Sequence, residues 1–270
     1  EKMVLFWHGH LVSSWSDVDG GFRLMRQLQT YRANALGDFV ALTQAMAIDP
    51  AMLVYLSNAE NRIYTWVDGQ GVKHYEGDPN QNFARELMEL FTLGVGNYTE
   101  SDVEAAASAW TGYNAEWNED PLLSRQYAFS AEHHDDRPKT FFGHTRAWTG
   151  PEIIEEILRG TYSGRTDKRA LAARRIATKL WEFLAHPGPP AGVIDGVLAT
   201  SDFAATMDIR ELVRAILMRD EFYSTTAKQG LVRTPIEYLA AIAYHTGLIP
   251  DPSTVPPGQP ERVDVVDPLG

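Results

Sequence analysis

Residues 79–113 read PNQNFARELMELFTLGVGNYTESDVEAAASAWTGY, and this stretch decides the fold class. Its first half places apolar side chains at the spacing that forms one face of a helix. These side chains are Phe83, Leu87, Leu90 and Phe91. Gly94 and Gly96 end this helix, and a second helix follows. It begins at Thr99, with Asp102 in the position that a capping box requires. The stretch therefore predicts two consecutive α-helices joined by a glycine turn.

Capped helical patterns of the same kind recur along the rest of the chain. The pattern predicts helices over about 2–12, 22–35, 151–159 and 166–185, among roughly eight to ten in all. In the second of these, the side chains expected to face the core are Phe22, Met25, Leu28 and Tyr31. Residues suited to cap helix N-termini are Asp38, Asp49, Thr166, Asp208 and Thr234.

Three segments depart from the helical pattern. Residues 63–75 place strand-forming side chains on both sides of a DGQG turn, which predicts a small inserted β-hairpin. Residues 114–150 form a long polar and aromatic loop, and residues 249–270 form a proline-rich, irregular tail. The sequence therefore predicts an all-α protein, a single multi-helix domain over residues 1–270 with one hairpin and one long polar loop.

Composition and motifs exclude several classes of function. The chain of 270 residues has a net charge of -12 and no dense block of Lys or Arg, which argues against a nucleic-acid partner. No apolar run approaches the ~20 residues that span a bilayer. The absence of Cys excludes disulfides, thiolate metal ligands and a cysteine nucleophile. The signatures of serine hydrolases, phosphate loops, dinucleotide folds and HExxH zinc peptidases do not occur.

The helix predicted in the first half of residues 79–113 is called the central helix here. It carries two carboxylates that are candidates for chemistry. On a helical wheel, Glu86 falls inside the apolar arc, between Leu90 and Leu93, and Glu89 lies at the edge of that arc. A buried carboxylate requires a hydrogen-bond partner, an opposite charge, a metal ion or a proton. We therefore expect Glu86 to be buried and paired. The two acids could share a cation, and the structural alternative is an ion pair with Arg85.

Two histidines near the start of the chain are further candidates. In a strand, His8 and His10 would point the same way and could share a metal ion. In a helix they lie far apart around the axis. Because Met3 and Trp7 continue the helical spacing, we expect a helix in which His10 faces the core and His8 faces elsewhere.

The long loop contains the segment HHDD, followed three residues later by a lysine. These are metal-ligand and acid–base side chains, and we expect the loop to fold back onto the two carboxylates of the central helix. The groups brought into one polar pocket would be His134, Asp135, Lys139, Glu86 and Glu89. In such a pocket the lysine would keep the carboxylates charged. The alternative is a solvated polar loop.

Several stretches of the chain carry a family resemblance. They are KMVLFWHGHLVSS, NFARELMELFTLGV, YTESDVEAAASAWTGY, HHDDRPKTFFG and RRIATKLWEFLAHPGPP. In this order they resemble a bacterial family known only as domain of unknown function 1800, and together they span nearly the whole chain. The resemblance implies a mainly helical protein that is exported to the periplasm or beyond the cell. It also implies a signal segment outside these residues and a second exported protein as partner. It implies no reaction.

Two functions from different classes are compatible with these features. The first is an exported, enzyme-like protein with a buried polar site, whose catalytic set is Glu86, Glu89, His134, Asp135 and Lys139. If a divalent metal ion assists this site, the candidate ligands are His8, His10, Glu86, Glu89 and His134. The second is a non-catalytic helical binding or assembly protein. Its Trp- and Tyr-rich loop and hairpin would contact another exported protein, a carbohydrate or another extracellular polymer.

Overall fold

Helices dominate the computed structural model, which describes residues 1–18, 21–116, 126–228, 230–232 and 234–246. Within these residues the α-helices are α1 (Lys2–His10), α2 (Trp15–Val18), α3 (Gly21–Asn34), α4 (Phe39–Ala47), α5 (Pro50–Tyr55), α6 (Asn82–Glu86), α7 (Glu100–Ala109), α8 (Gly150–Arg159), α9 (Asp167–Leu184), α10 (Ala191–Ser201), α11 (Phe203–Thr206), α12 (Ile209–Leu217), α13 (Thr225–Lys228) and α14 (Pro235–Thr246). Short 3-10 helices cover Asn58–Glu60, Ala131–His133 and Asp220–Tyr223. The prediction of a mainly helical fold is confirmed. Several helices are a single turn, so they outnumber those that the sequence predicts.

Within the described residues, short strands form three antiparallel hairpins, where the sequence predicts one. The strands are β1 (Tyr64–Val67), β2 (Lys73–Glu76), β3 (Tyr113–Glu116), β4 (Gln126–Phe129), β5 (Lys139–Phe141) and β6 (His144–Arg146). The β1–β2 pair is the predicted hairpin. The pairs β3–β4 and β5–β6 fall within the predicted long loop, so this segment is more structured than its sequence indicates.

The β5–β6 hairpin turns through Phe142 and Gly143, whose φ angles are 47° and 77°. Two consecutive residues with positive φ form the tight turn that matches the twist of paired strands. Asparagine or glycine usually takes the first position, and a phenylalanine there is uncommon. The Phe142 ring is buried, and this burial offsets the backbone strain. The hairpin therefore lacks the turn signal by which it could be predicted.

The predicted capping residues lie at helix N-termini, and all but one of them make the expected bonds. Side chains that accept hydrogen bonds from backbone N–H groups of the first turn are those of Asp38, Asp49, Asp208 and Thr234. Thr99 and Asp102 form the expected capping box. Thr166 precedes α9 but its side chain makes no capping hydrogen bond, so that prediction is wrong.

A single hydrophobic cluster runs through α1, α4, α7, α8, α9 and α12 and includes the central helix. Its largest fully buried side chains include four tryptophans, Trp7, Trp110, Trp148 and Trp181. Small alanines on the inner face of α7 let neighbouring elements approach closely. The core therefore connects the beginning of the chain with helices that follow the long loop.

Helix α3 buries only part of the face that its apolar pattern predicts, because Tyr31 is buried and Leu28 packs against the core but the other two predicted side chains do not. Phe22 and Met25 are exposed, whereas Gln27 and Tyr31 are buried. The Gln27 amide donates to the Asp49 carboxylate at 3.0 Å, so these buried polar groups satisfy each other. Burial raises the pKa of Asp49 to about 6. The expectation is therefore confirmed for Tyr31 and wrong for Phe22 and Met25, and the buried Gln27–Asp49 pair takes up part of the inner face of α3.

The central helix changes from α-helical to π-helical hydrogen bonding within residues 79–113. Helix α6 continues as a π-helical segment, Leu87–Thr92, after which the N–H of Leu93 donates to the carbonyl of Met88 at 2.8 Å. A π-helical turn takes more residues than an α-helical turn, so later side chains rotate away from their α-helical positions. Leu90, which the sequence places on the inner face, is consequently 44% exposed.

Some expectations concern residues that the structure does not describe. The predicted irregular tail, residues 249–270, and part of the predicted loop, residues 117–125, lie outside the described residues. The single-domain organisation over residues 1–270 stays a prediction. In the described part of the chain, no helix combines the length and the apolar character needed to cross a membrane.

Asp102 joins α7 to the β5–β6 hairpin, and this connection can be tested. One carboxylate oxygen accepts from the Thr99 N–H and the other from the Phe142 N–H, each at 2.9 Å. The substitution Asp102→Asn replaces one acceptor by an NH2 group, so one of these amides loses its partner. We expect the free energy of unfolding, measured in urea, to fall by about 1–3 kcal/mol. Glu104→Gln, at an exposed site of the same helix, is the matched control and should leave stability unchanged. Equal losses in both variants would contradict the assignment.

Candidate functional site

Asp135, a predicted catalytic residue, is buried against the C-terminal end of α7. Its carboxylate accepts a hydrogen bond from the Ser108 hydroxyl at 2.6 Å and two from the Arg137 guanidinium, each at 2.8 Å. Although burial opposes the charge, these bonds hold the pKa of Asp135 at about 2. The Lys139 ammonium donates to the Asp135 carbonyl oxygen at 2.6 Å, and burial lowers the pKa of Lys139. The Asp135 carboxylate is therefore held by groups of the protein itself.

The side chain of the neighbouring His134 is also hydrogen-bonded within the protein. Its Nδ1 lies 2.8 Å from the Thr111 carbonyl oxygen, which makes Nδ1 the protonated nitrogen. Burial lowers the pKa of His134, which disfavours the charged form of the ring. The next residue, Asp136, accepts from the Lys73 ammonium at 2.8 Å and from the Tyr75 hydroxyl at 2.6 Å. The loop is thus fixed both to α7 and to the β1–β2 hairpin, and its polar groups contribute to structure.

The carboxylates of the central helix lie in a different environment from the one predicted. Glu86 is half-buried, and no described residue donates a hydrogen bond to it or forms an ion pair with it. Burial and the charge of Glu89 raise the pKa of Glu86. Glu89 accepts from the Tyr98 hydroxyl at 2.6 Å, whereas Arg85 pairs with Glu100. The expectation of a buried, paired Glu86 is wrong because the helix changes to a π period immediately after it.

The two halves of the predicted pocket, the loop residues and the carboxylates of the central helix, are not joined by direct contacts. Residues 133–139, which contain the HHDD segment and Lys139, are called the His–Asp loop here. No hydrogen bond or ion pair between described residues joins Glu86 or Glu89 to this loop. The polar partners of the loop come from α7 and from the β1–β2 hairpin. Across the described ranges, no three His, Asp or Glu side chains are placed to hold a metal ion. The predicted ligands are divided among α1, which carries His8 and His10, the central helix and the loop that carries His134.

Helix α1 is confirmed, and one of its histidines connects it to the central helix. The Nε2 of His10 lies 2.9 Å from the Phe91 carbonyl oxygen and donates to it. Burial lowers the pKa of His10 to about 3, so the ring is neutral in the folded protein. His10 faces the core, as predicted, and its Nε2 is not available to a metal ion.

The two histidines nevertheless lie at the edge of a cavity of about 580 Å³ between α1, α9 and the start of α14. Cavities of this size accommodate small molecules. Its polar lining comes from His8, His10, Lys179, Glu182 and Thr234, and its apolar lining includes Leu5, Phe6, Phe183, Pro235 and Ile236. One side of the cavity is held by an ion pair between Lys2 of α1 and Glu237 of α14. The cavity therefore combines an apolar wall with a small number of titratable groups.

Lys179 is the unusual member of this lining. It is half-buried, and no described residue forms a hydrogen bond or an ion pair with its ammonium group. Burial, assisted by the charge of Arg175, lowers the pKa of Lys179, and Glu182 opposes this shift. Glu182 itself accepts from the Gly188 N–H at 3.2 Å. The cavity thus holds a cation that the protein leaves without a direct partner.

The sequence carries a signal for Lys179 that is separate from its acidic and histidine clusters. On α9, Lys179 lies on the same side of the helix as Ile176 and Phe183, so a charge interrupts an apolar stripe. A charged side chain on a core-facing stripe needs a partner. Glu86 interrupts the apolar stripe of the central helix in the same way, with the opposite charge.

The neutral state of His10 has a measurable consequence. The unfolded chain binds a proton at this ring between the ordinary pKa of 6.5 and the folded value of about 3, so stability falls as pH falls through this interval. His10→Gln supplies an amide that can donate to the same carbonyl but does not titrate. We expect the stability advantage of wild type over this variant to shrink by about 2–3 kcal/mol between about pH 7.5 and pH 4.5.

Guanidinium unfolding at the two pH values measures this difference. His8→Gln leaves the buried ring in place and is the matched control, so it should keep the wild-type pH dependence. Parallel pH profiles for wild type and His10→Gln would show that the ring does not titrate in this way.

Comparison with known proteins gives the family and no activity. A family model described as "Protein of unknown function (DUF1800)" matches residues 1–262. No curated protein and no solved structure matches the chain. The match covers both helices that contribute polar groups to the cavity as well as the His–Asp loop. The chain therefore belongs to the DUF1800 family.

Proposed function

We propose that the protein binds a small molecule with an anionic head group in the cavity between α1, α9 and α14. The observation that carries this proposal is the Lys179 ammonium, which is half-buried, lines the cavity and has no direct partner among the described residues. A half-buried cation without a direct partner loses part of its hydration at a cost, and a carboxylate or phosphate oxygen in the cavity would offset that cost. The cavity is also lined by residues of KMVLFWHGHLVSS and RRIATKLWEFLAHPGPP, two of the stretches that carry the family resemblance.

The remaining lining narrows the class of ligand. Glu182 places a carboxylate near the cation, so the ligand should carry a hydrogen-bond donor close to its anionic group. Phe6, Phe183 and Ile236 supply an apolar wall for a hydrocarbon body. A hydroxy acid or an amino acid with an apolar side chain has this combination. The ligand class is therefore a small amphiphilic acid with a donor beside its head group.

His8 extends the proposal towards the enzyme-like hypothesis. Its imidazole lines the same cavity as an amine whose pKa is lowered by burial. An imidazole beside an amine supplies the types of side chain that general acid–base catalysis uses. The site residues in this proposal are Lys179 as the anchor of the anion, His8 as a second polar group beside the ligand and Glu182 as the acceptor. Export from the cell remains part of the proposal through the family resemblance.

A binding screen tests the proposal. Purified protein is combined with 2-hydroxy and 2-amino acids of increasing apolar size, and with the matching phosphate monoesters. Binding is read as a rise in melting temperature and then by calorimetry. We expect compounds with an apolar body to bind. Lys179→Gln should weaken that binding by about 10- to 100-fold, the effect of losing one charged hydrogen bond.

Lys228→Gln is the matched control because it removes the same charge from an exposed position on α13. It should leave affinity unchanged. If no compound of these classes binds, or if Lys179→Gln binds as tightly as wild type, the cavity does not hold an anionic ligand at Lys179. A change of affinity in His8→Gln without a change in Lys179→Gln would instead place the head group elsewhere in the cavity.

A further inference from the structure

Helix α9 contributes three neighbouring side chains to the cavity between α1, α9 and α14. Lys179, Glu182 and Phe183 stand at positions i, i+3 and i+4 of this helix and line the same cavity. Side chains at this spacing are neighbours on a helix surface, with Cβ atoms about 5–6 Å apart. All three are half-buried. The α9 wall therefore presents a cation, an anion and an aromatic ring side by side.

The two charged groups are neighbours, yet they form no ion pair with each other. No described residue forms a hydrogen bond or an ion pair with the Lys179 ammonium. The Glu182 carboxylate accepts from the Gly188 N–H at 3.2 Å and from no other described residue. The lysine precedes the glutamate on the helix, and this order is less favourable for an ion pair than the reverse. Both groups therefore keep hydrogen-bonding capacity for a bound molecule.

Two other titratable groups beside the cavity have partners within the protein. The Lys2 ammonium, which lies 4.4 Å from the centroid of the Phe183 ring, pairs with Glu237. His10 is neutral and donates to the Phe91 carbonyl. Among the described residues of the lining, the Lys, Arg, Asp and Glu side chains are Lys179 and Glu182. Their formal charges are equal and opposite.

A lining with one such cation and one such anion is complementary to a zwitterion. A 2-hydroxy acid can bind Lys179 through its carboxylate, but its hydroxyl offers Glu182 only a neutral donor. A 2-amino acid offers Glu182 an ammonium group, and charge-assisted hydrogen bonds are roughly twice as strong as neutral ones. The amino acid also carries no net charge, so the net charge of -12 on the protein does not repel it. The two charges of the lining therefore favour the amino acid.

An apolar surface lies directly beside the two charges. The rings of Phe6 and Phe183 have centroids 5.3 Å apart, so they join α1 to α9, and Ile236 of α14 lines the same cavity. Phe183 is next to Glu182 in the chain and one helical turn from Lys179. The cation, the anion and the ring thus lie within one turn of α9. This arrangement matches a molecule whose carboxylate, ammonium and apolar group are bonded to a single carbon atom.

We propose that the ligand of this cavity is a free 2-amino acid with an apolar side chain, an assignment that rests on the anion-binding function proposed above. Its carboxylate binds the Lys179 ammonium, and its ammonium binds the Glu182 carboxylate. Its side chain packs against Phe6 and Phe183. A molecule without one of the two charges leaves Lys179 or Glu182 without a charged partner. Glu182 is therefore the residue that selects amino acids over hydroxy acids.

Calorimetric titration of the purified chain with matched compounds tests this proposal. L-leucine, 2-hydroxy-4-methylpentanoic acid and 3-methylbutylamine share one apolar body and differ in their charged groups. L-phenylalanine and 2-hydroxy-3-phenylpropanoic acid form a second matched pair. We expect the amino acid of a pair to bind about ten-fold more tightly than the hydroxy acid, because a neutral donor replaces a charged one. The amine, which lacks the carboxylate, should also bind about ten-fold more weakly than L-leucine.

Two substitutions on α9 separate the roles of the two charges. Glu182→Gln removes the charge but keeps an oxygen that accepts from the Gly188 N–H. It should weaken binding of the amino acid and leave the affinity for the hydroxy acid nearly unchanged, so the preference disappears. Lys179→Gln should weaken binding of both acids. Glu104→Gln makes the same change as Glu182→Gln at an exposed position on α7, and it should keep the wild-type preference.

The results distinguish the amino-acid assignment from anion binding in general. The comparison of compounds uses wild type alone, so it is decisive even if a variant does not fold. If a hydroxy acid binds wild type as tightly as its matched amino acid, the assignment is overturned and anion binding at Lys179 stands. The same holds if Glu182→Gln, with its helical circular dichroism retained, keeps the wild-type preference. If no acid of either class binds, both the assignment and the anion-binding function are overturned.

Discussion

The carbonyl groups at the end of the central helix require partners from elsewhere in the chain, because a helix leaves its last carbonyls unpaired. The buried His10 imidazole donates to the Phe91 carbonyl at 2.9 Å, and the Arg175 guanidinium donates to the Leu90 carbonyl at 3.3 Å. Gly94 makes this approach possible. It has a φ of 88°, and a Cβ at this position would lie 2.9 Å from the Arg175 guanidinium. The end of the central helix is thus capped by two side chains distant in sequence.

These two side chains come from α1 and α9, and the same two helices form walls of the cavity. The bonds that satisfy the central helix therefore also set the distance between the histidines of α1 and Lys179 of α9. A change in the period of the central helix would move the carbonyls of Leu90 and Phe91 and, with them, both walls. In this fold the packing requirement of one helix end positions the groups that are available to a ligand.

Predictions from the sequence succeeded where the cause of the structure is local. The caps at Asp38 and Asp49 depend on a few neighbouring residues, and the sequence contains all of them. The π-helical segment depends on distant partners, so a helical wheel with a constant α period misplaced Glu86 and Leu90. The loop residue Asp135 was identified as a charged group that needs partners, yet one of those partners, Ser108, lies on α7 and could not be chosen from sequence spacing. The cavity was missed for the same reason, because its walls meet only in the folded chain.

His10 and Lys179 differ in how their polar groups are used: one is hydrogen-bonded within the fold, and the other has no direct partner among the described residues. Both are titratable, both lose part of their hydration, and both line one cavity. His10 is buried as a neutral ring, and its Nε2–H donates to a backbone carbonyl. Its Nε2 is therefore not available to a ligand. Lys179 keeps an ammonium group that is half-buried and has no direct partner among the described residues, and the partial loss of hydration has a cost in stability. An apolar side chain of similar length would line the cavity without that cost. The contrast between His10 and Lys179 therefore supports the proposal that a ligand binds at Lys179 of α9.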